Sequence, residues 1–129
     1  MGVRFPGSGS NVLLNTVVAP GEALAVLSPT ISPALDNQQL VILWSITWLG
    51  GATGPVVSYN IRRGSTTAAT LLTSGQTVTE ANSTRYFRSG VVIDVPGIVA
   101  NVQYGLFLNV TNAASGVTIN DVAIMVMGL

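Results

Sequence analysis

Apolar residues recur at every second position along most of the chain, and turn-forming residues interrupt them at short intervals. That combination predicts an all-β sandwich or barrel. The first segments are Asn11 to Val18, closed by Ala19-Pro20-Gly21, and Glu22 to Ser28, closed by Pro29 and Pro33. Proline has no N–H to give to a sheet, so these breaks lie outside any central strand. Gln39 to Leu49 sets Leu40, Ile42, Trp44, Ile46 and Trp48 on one face and Val41, Leu43, Ser45, Thr47 and Leu49 on the other. Both faces are largely apolar, which predicts a central strand covered on each side. Beyond Gly50-Gly51 the chain enters Val56 to Arg63, where Val57, Tyr59 and Ile61 share a face.

Thr66 to Thr79, rich in Thr and Ala, predicts two short edge strands broken at Ser74-Gly75. Arg85 to Val95 alternates again, with Phe87, Val91, Ile93 and Val95 expected inward and Tyr86, Arg88, Val92 and Asp94 outward. Gly90, in the middle of that run, is expected to mark a bulge. Asn101 to Thr111 carries the cleanest pattern, with Val102, Tyr104, Leu106, Leu108 and Val110 on one face. Val117 to Met127 follows, apolar on both faces. Roughly eight such strands, the short pieces included, predict an antiparallel jelly-roll sandwich. The 129 residues hold one domain, read as a flexible Gly/Ser arm at 1–10 and a single sandwich at 11–129. No repeat of propeller or solenoid length is visible.

Composition narrows the chemistry. The chain is 48% hydrophobic and 8% charged, with five arginines balancing five acids and no lysine, so a nucleic-acid footprint is not expected. It has no cysteine, which removes disulfides, thiol nucleophiles and thiolate metal sites. It has no histidine, which removes the commonest general base and transition-metal ligand. No cofactor and no metal are expected. The opening residues lack the unbroken apolar run of a secretory signal, and Pro6 breaks a myristoylation pattern. The apolar run Leu40 to Leu49 is half the length of about 20 residues that a membrane helix needs, so no membrane span is expected.

Three constellations could carry chemistry. A glycosidase needs two carboxylates about 5 to 10 Å apart, but Glu22, Asp36, Glu80, Asp94 and Asp121 lack any flanking motif, and solvated or Arg-paired charge is the favoured reading. Arg62, Arg63, Arg85 and Arg88 could clamp an anion through planar bidentate donors. Ion pairing is favoured for them, and a pair between Arg63 or Arg88 and Asp94 could fix how subunits meet. Trp44 and Trp48 could stack on sugar rings, yet their Leu and Ile neighbours favour burial in a core or an interface.

A small domain with so little charge has more apolar surface than one core consumes, which points to burial against identical subunits. A homotrimer is the expectation, with Trp44, Trp48, Val122, Ile124, Met125, Val126 and Met127 at the subunit interface and Arg63, Arg88 and Asp94 as its ion pairs.

The succession Gln39-Leu-Val-Ile-Leu-Trp-Ser-Ile-Thr-Trp48, Val57-Ser-Tyr-Asn-Ile-Arg-Arg-Gly64, Gly90-Val-Val-Ile-Asp-Val-Pro-Gly97, Val102-Gln-Tyr-Gly-Leu-Phe-Leu-Asn-Val110 and Val122-Ala-Ile-Met-Val126 resembles the small jelly-roll proteins that decorate phage and virus capsids. The resemblance spans residues 11 to 129. Those proteins are similar in plan to tumour-necrosis-factor-like trimers, which implies a last strand near the trimer axis. The function so implied is that of a non-enzymatic decoration or cement protein on the capsid surface of a virion. Its partner would be the major capsid protein, and Arg4, Phe5 and Pro6 would anchor a capsid-binding arm. Two alternatives stand beside it: a carbohydrate- or receptor-binding module such as a fibre head, using Trp44, Trp48 or Tyr86, and a single jelly-roll shell protein.

Overall fold

The alternation becomes nine strands in a computed structural model, which describes residues 3–4, 11–19, 21–31, 37–50, 54–79, 85–97, 101–111 and 117–128. In chain order they are β1 (Val3–Arg4), β2 (Asn11–Val18), β3 (Ala23–Leu27), β4 (Leu40–Leu49), β5 (Val56–Arg63), β6 (Thr70–Val78), β7 (Arg85–Asp94), β8 (Tyr104–Thr111) and β9 (Val117–Gly128). They form a five-stranded sheet, β1-β3-β8-β5-β6, and a four-stranded sheet, β2-β9-β4-β7.

Antiparallel pairs β2·β9, β3·β8, β4·β7 and β5·β6 nest inside one another. One long hairpin has in effect been rolled into two sheets, which is the jelly-roll plan expected of the eight longer strands. The two-residue β1 adds a parallel pairing, Val3 with Ala23 and Arg4 with Leu24, at the margin of the larger sheet. It falls within the expected arm, of which Phe5 and Pro6 lie outside the described residues.

Between the sheets lies the core that period-two spacing requires. Leu40, Ile42, Ile46 and Trp48 of β4 are fully buried, and Trp44 is 8% exposed. They meet Val117, Ile119, Val122 and Ile124 of β9, and Val57, Ile61, Tyr104, Leu106, Leu108 and Val110 of the facing sheet. A bulge interrupts β9: Thr47 pairs with Asp121 but Trp48 with Ile119, leaving Asn120 as the extra residue. Asn120 is buried there and accepts a hydrogen bond from Arg85 Nη1 at 3.0 Å.

Two expectations are corrected by the register. The β4·β7 ladder runs without a shift from Leu40↔Asp94 to Leu49↔Arg85, so Gly90 is no bulge. Gly90 faces Trp44, and a Cβ there would lie 2.6 Å from Trp44 Cζ2; the glycine vacates a slot for the indole. Likewise β6 continues through Ser74-Gly75 as one strand, because Gly75 pairs with Tyr59 and a Cβ would lie 2.5 Å from its hydroxyl oxygen. The irregularity in that hairpin sits elsewhere, between Ile61 and Arg62.

The same ladder inverts the expected faces of β7. Tyr86, Arg88, Gly90, Val92 and Asp94 stand opposite Trp48, Ile46, Trp44, Ile42 and Leu40 on the inner side. Phe87, Val91 and Ile93, with Val95 just beyond, are exposed.

Overpacking a full core costs about 1–3 kcal/mol. Gly90→Val should therefore destabilise by about 2 kcal/mol, read from urea midpoints at constant slope. Ser89→Val, one residue away on the outer face, should stay within about 0.5 kcal/mol of the parent. Equal effects at the two positions would refute the slot.

Candidate functional site

Two arginines of the sandwich, Arg63 and Arg88, tie its two sheets together. Asp94 ends β7 on the inner face and is 6% exposed. Arg63, the last residue of β5 in the other sheet, reaches it with Nε 2.7 Å from Oδ2 and Nη2 2.5 Å from Oδ1, a bidentate ion pair. Tyr104, the register partner of Arg63 on β8, donates its hydroxyl to Oδ2 at 2.6 Å. Burial opposes ionisation of Asp94, but the hydrogen bonds from Arg63 and Tyr104 outweigh it and hold the carboxyl below its ordinary pKa. The hydrogen bond to Asp94 raises Arg63 in turn. Burial, then the adjacent carboxylate, pushes the Tyr104 phenol well above its ordinary value, so the hydroxyl stays a donor.

Arg88, the other expected partner of Asp94, goes elsewhere. Its Nε donates to Thr77 Oγ1 of β6 at 3.1 Å and its Nη1 to the Phe87 carbonyl at 2.8 Å, so it straps one sheet edge to the other. Arg62 donates to Asn60 Oδ1 and to the Ala69 carbonyl at 2.9 and 2.7 Å, bracing the β5–β6 turn. With Arg85 held by Asn120, each of the four arginines weighed as an anion clamp has a partner within the chain. The Arg63–Asp94 pair is an intrachain tie between sheets, not a contact between subunits.

The outer face of the four-stranded sheet is different. Register places its side chains in rows across β7, β4 and β9: Ile93–Val41–Met127, Val91–Leu43–Met125, Ser89–Ser45–Ala123 and Phe87–Thr47–Asp121. Phe87, Val91, Ile93, Met125 and Met127 are each between 43% and 58% exposed. The row of small residues lies low between larger neighbours, and a shallow depression of about 180 Å³ opens there, lined by Leu43, Trp44, Ser45, Ala123 and Met125. Monomers rarely leave so continuous an apolar surface in water without a use for it.

The residues expected at one subunit interface are thus divided between two faces. Trp44, Trp48, Val122 and Ile124 are buried in the core of a single chain, and Val126 packs against it. They leave little surface to offer a second subunit, which corrects that expectation. Met125 and Met127 do lie on the outer face, joined by Val41 and Leu43, as the alternation of β4 predicts, and by Phe87, Val91 and Ile93, which the sequence places inward. The sugar-platform alternative is corrected by the same burial. Trp44 packs on Tyr59 with ring centres 4.9 Å apart, and Trp48 stacks on Tyr86 at 5.6 Å and 14°, the indoles buried and the two tyrosines partly buried against the core. Among the described residues no group of three or more His, Cys, Asp or Glu could hold a metal ion. No helix among them is long and apolar enough to cross a membrane.

Removing Arg63 leaves a carboxylate with little access to water, whereas removing the Tyr104 hydroxyl deletes one hydrogen bond. Arg63→Met should cost about 3 kcal/mol and Tyr104→Phe about 1 kcal/mol in urea unfolding. Because the folded pKa of Asp94 is depressed, its contribution is complete above the unfolded carboxylate value of about 4 and is lost as pH falls through the folded value. The stability gap between the parent and Asp94→Asn should accordingly close on acidification below about pH 4. A gap independent of pH would show that Asp94 does not act as a carboxylate.

No protein-family model matches the sequence, and no curated protein matches it. Solved structures similar to it include the VP2 protein of infectious bursal disease virus in T=1 particles, with a TM-score of 0.48 and 9% identity over 91% of this chain and 32% of that one. The insecticidal delta-endotoxin Cry8Ea1 from Bacillus thuringiensis has a TM-score of 0.44 and 12% identity over 92% of this chain and 20% of that one. The adhesin domain of Lys-gingipain from Porphyromonas gingivalis has a TM-score of 0.44 and 12% identity over 78% of this chain and 62% of that one. The chain spans less than two thirds of the length of each of these three, and the likeness is one of β-sandwich fold.

Proposed function

We propose that this chain is a structural protein of a virion, a decoration protein that binds the outer capsid lattice as an assembly of identical copies, three in the sequence expectation. The observation that carries this reading is the outer face of β9, β4 and β7, which remains largely apolar although the interior is already filled. The arginines, meanwhile, are committed to bonds that hold the sandwich in one shape. A rigid module with a large apolar face suits lattice assembly better than turnover of a substrate. The resemblance of strand order and composition to capsid decoration proteins supplies the partner, the major capsid protein.

The mechanism is additive. Each assembly would touch several capsid subunits, and contacts that are individually weak would become strong together through their high effective concentration. The resulting cross-links would resist the outward pressure of a packaged genome. The first ten residues, with Arg4, Phe5 and Pro6, would add contacts to the lattice that the sandwich alone lacks.

An antibody raised against the purified chain should label the outside of intact particles from the source culture in negative-stain images. Chain found solely in the soluble fraction, with unlabelled particles, would defeat the reading. On particles stripped of the chain, the full-length protein should rebind and co-sediment, and deletion of residues 1–10 should weaken rebinding by about tenfold or more, as loss of one site in a multivalent contact does. Unchanged rebinding would remove the arm from the mechanism while leaving the decoration reading in place.

A further inference from the structure

The rows on the outer face of the four-stranded sheet have a relationship that a second copy of the chain would satisfy. The ridge Val91–Leu43–Met125 lies directly beside the furrow Ser89–Ser45–Ala123, one strand step of two residues away and parallel to it. A two-fold interface brings a surface against itself, so it is well packed when each large group finds a small one across the axis. We infer that two copies of this chain pair face to face through β7, β4 and β9, about a two-fold axis that runs across the strands, between the facing sheets, level with Trp44.

Rotation about that axis lays each strand over its own copy in the opposite direction and exchanges ridge for furrow. Leu43 then meets the partner's Ser45, Met125 meets the partner's Ala123, and Val91 meets the partner's Ser89. The depression lined by Leu43, Ser45, Ala123 and Met125 is the volume these exchanges fill. One row further out, Phe87 meets the partner's Ile93 and Thr47 the partner's Val41. Asp121 falls in the same outer row and meets the partner's Met127.

The face is large enough. Three strands about 4.8 Å apart and ten residues of about 3.3 Å make a face of about 14 by 33 Å, so a pair covers about 950 Å² in plan, which the relief of the side chains brings to the lower end of specific interfaces. The alternative route to a pair of β-proteins, joining sheet edges, is opposed by Arg88. An inward-facing charge on an edge strand is a recognised guard against edge pairing, and Arg88 spans from β7 to Thr77 on the neighbouring edge β6. The pairing draws on the same outer face as the virion reading and specifies the assembly of identical copies in it, as a two-fold pair in place of the three-fold expectation.

Light scattering on the full-length chain, coupled to size exclusion over a dilution series, should return twice 13.3 kDa. Met125→Asp should halve that mass, and Leu71→Asp, an exposed apolar position on the opposite sheet, should leave it unchanged. Because the chain has no cysteine, Ser45→Cys introduces a unique thiol close to the axis, expected about 12 Å from its copy given sheet packing of about 10 Å. A short bismaleimide should link it into dimers at high dilution, with Leu71→Cys remaining unlinked. A monomer, a mass three times that of the chain, or Ser45→Cys that links no better than Leu71→Cys would each overturn the inference. None of these outcomes alters whether virions carry the chain, so the two readings fail separately.

Discussion

Everything in this sandwich is arranged around β4, because its inner face carries two tryptophans that only one disposition of the neighbouring strands can accommodate. Trp44 needs the absence of a side chain at Gly90 on β7 and the ring of Tyr59 across the core. Trp48 needs Tyr86 two rungs along the same ladder. A slip of one residue in β7 would carry Gly90 to the outer face and drive a side chain into the indole. The wide rings therefore do more than fill volume: they select the register of the whole four-stranded sheet, and with it the faces of β7 and β9. The Nε1–H groups of both indoles are buried without an acceptor among the described residues, a cost of about 1–3 kcal/mol each that the packing has to outweigh.

Charge then does what apolar packing cannot, which is to hold the margins. Hydrophobic burial is non-directional, so two sheets filled with Leu, Ile and Val can slide or splay at their ends. The Arg63–Asp94–Tyr104 cluster joins β5 and β8 of one sheet to the last residue of β7 in the other, with fixed geometry at each contact. Arg88 and Thr77 join the two sheets along the side where β7 and β6 are both edges. Few charges are needed because Arg63 and Arg88 each bridge the two sheets, while Arg62 and Arg85 hold positions within one. That economy explains how a chain with 8% charged residues keeps a defined shape, and why it has so few left for its outer surface.

The strands were legible in the sequence wherever one face was decisively larger or more apolar than the other. β4 and β8 show this best: the inward residues predicted for each, Leu40 through Trp48 and Tyr104 through Val110, are buried, although on β8 Gly105 and Phe107 of the other face are buried with them. On β7 the same rule pointed the wrong way, since Phe87, Val91 and Ile93 outweigh Tyr86, Val92 and Asp94 in hydrophobicity. What places Asp94 inside is a guanidinium 31 residues earlier in the chain and a phenol 10 residues later, both on the opposite sheet. Pairing of that kind depends on topology and leaves no periodic trace. Gly75 and Gly90 misled for a related reason, because a glycine that makes room for a ring on the next strand looks, in one dimension, like a break. The candidate surface was half legible: two apolar faces on β4 and β9 announced that something covers the outer side, but the membership of that side depended on β7.

The inversion of β7 is also what gives the outer face its character. Had Phe87, Val91 and Ile93 turned inward, the outer side of this sheet would carry Arg88, Asp94 and Tyr86, an ordinary solvated surface. Turned outward, they extend the apolar rows of β4 and β9 to the very edge of the sheet. The same rotation places Arg88 on the inner side at that edge, where it guards the strand against pairing. One choice of register, set by two tryptophans, thus opens the face and closes the edge together. Association is directed to the face because the edge that would compete with it is occupied by a charge whose bonds are already made.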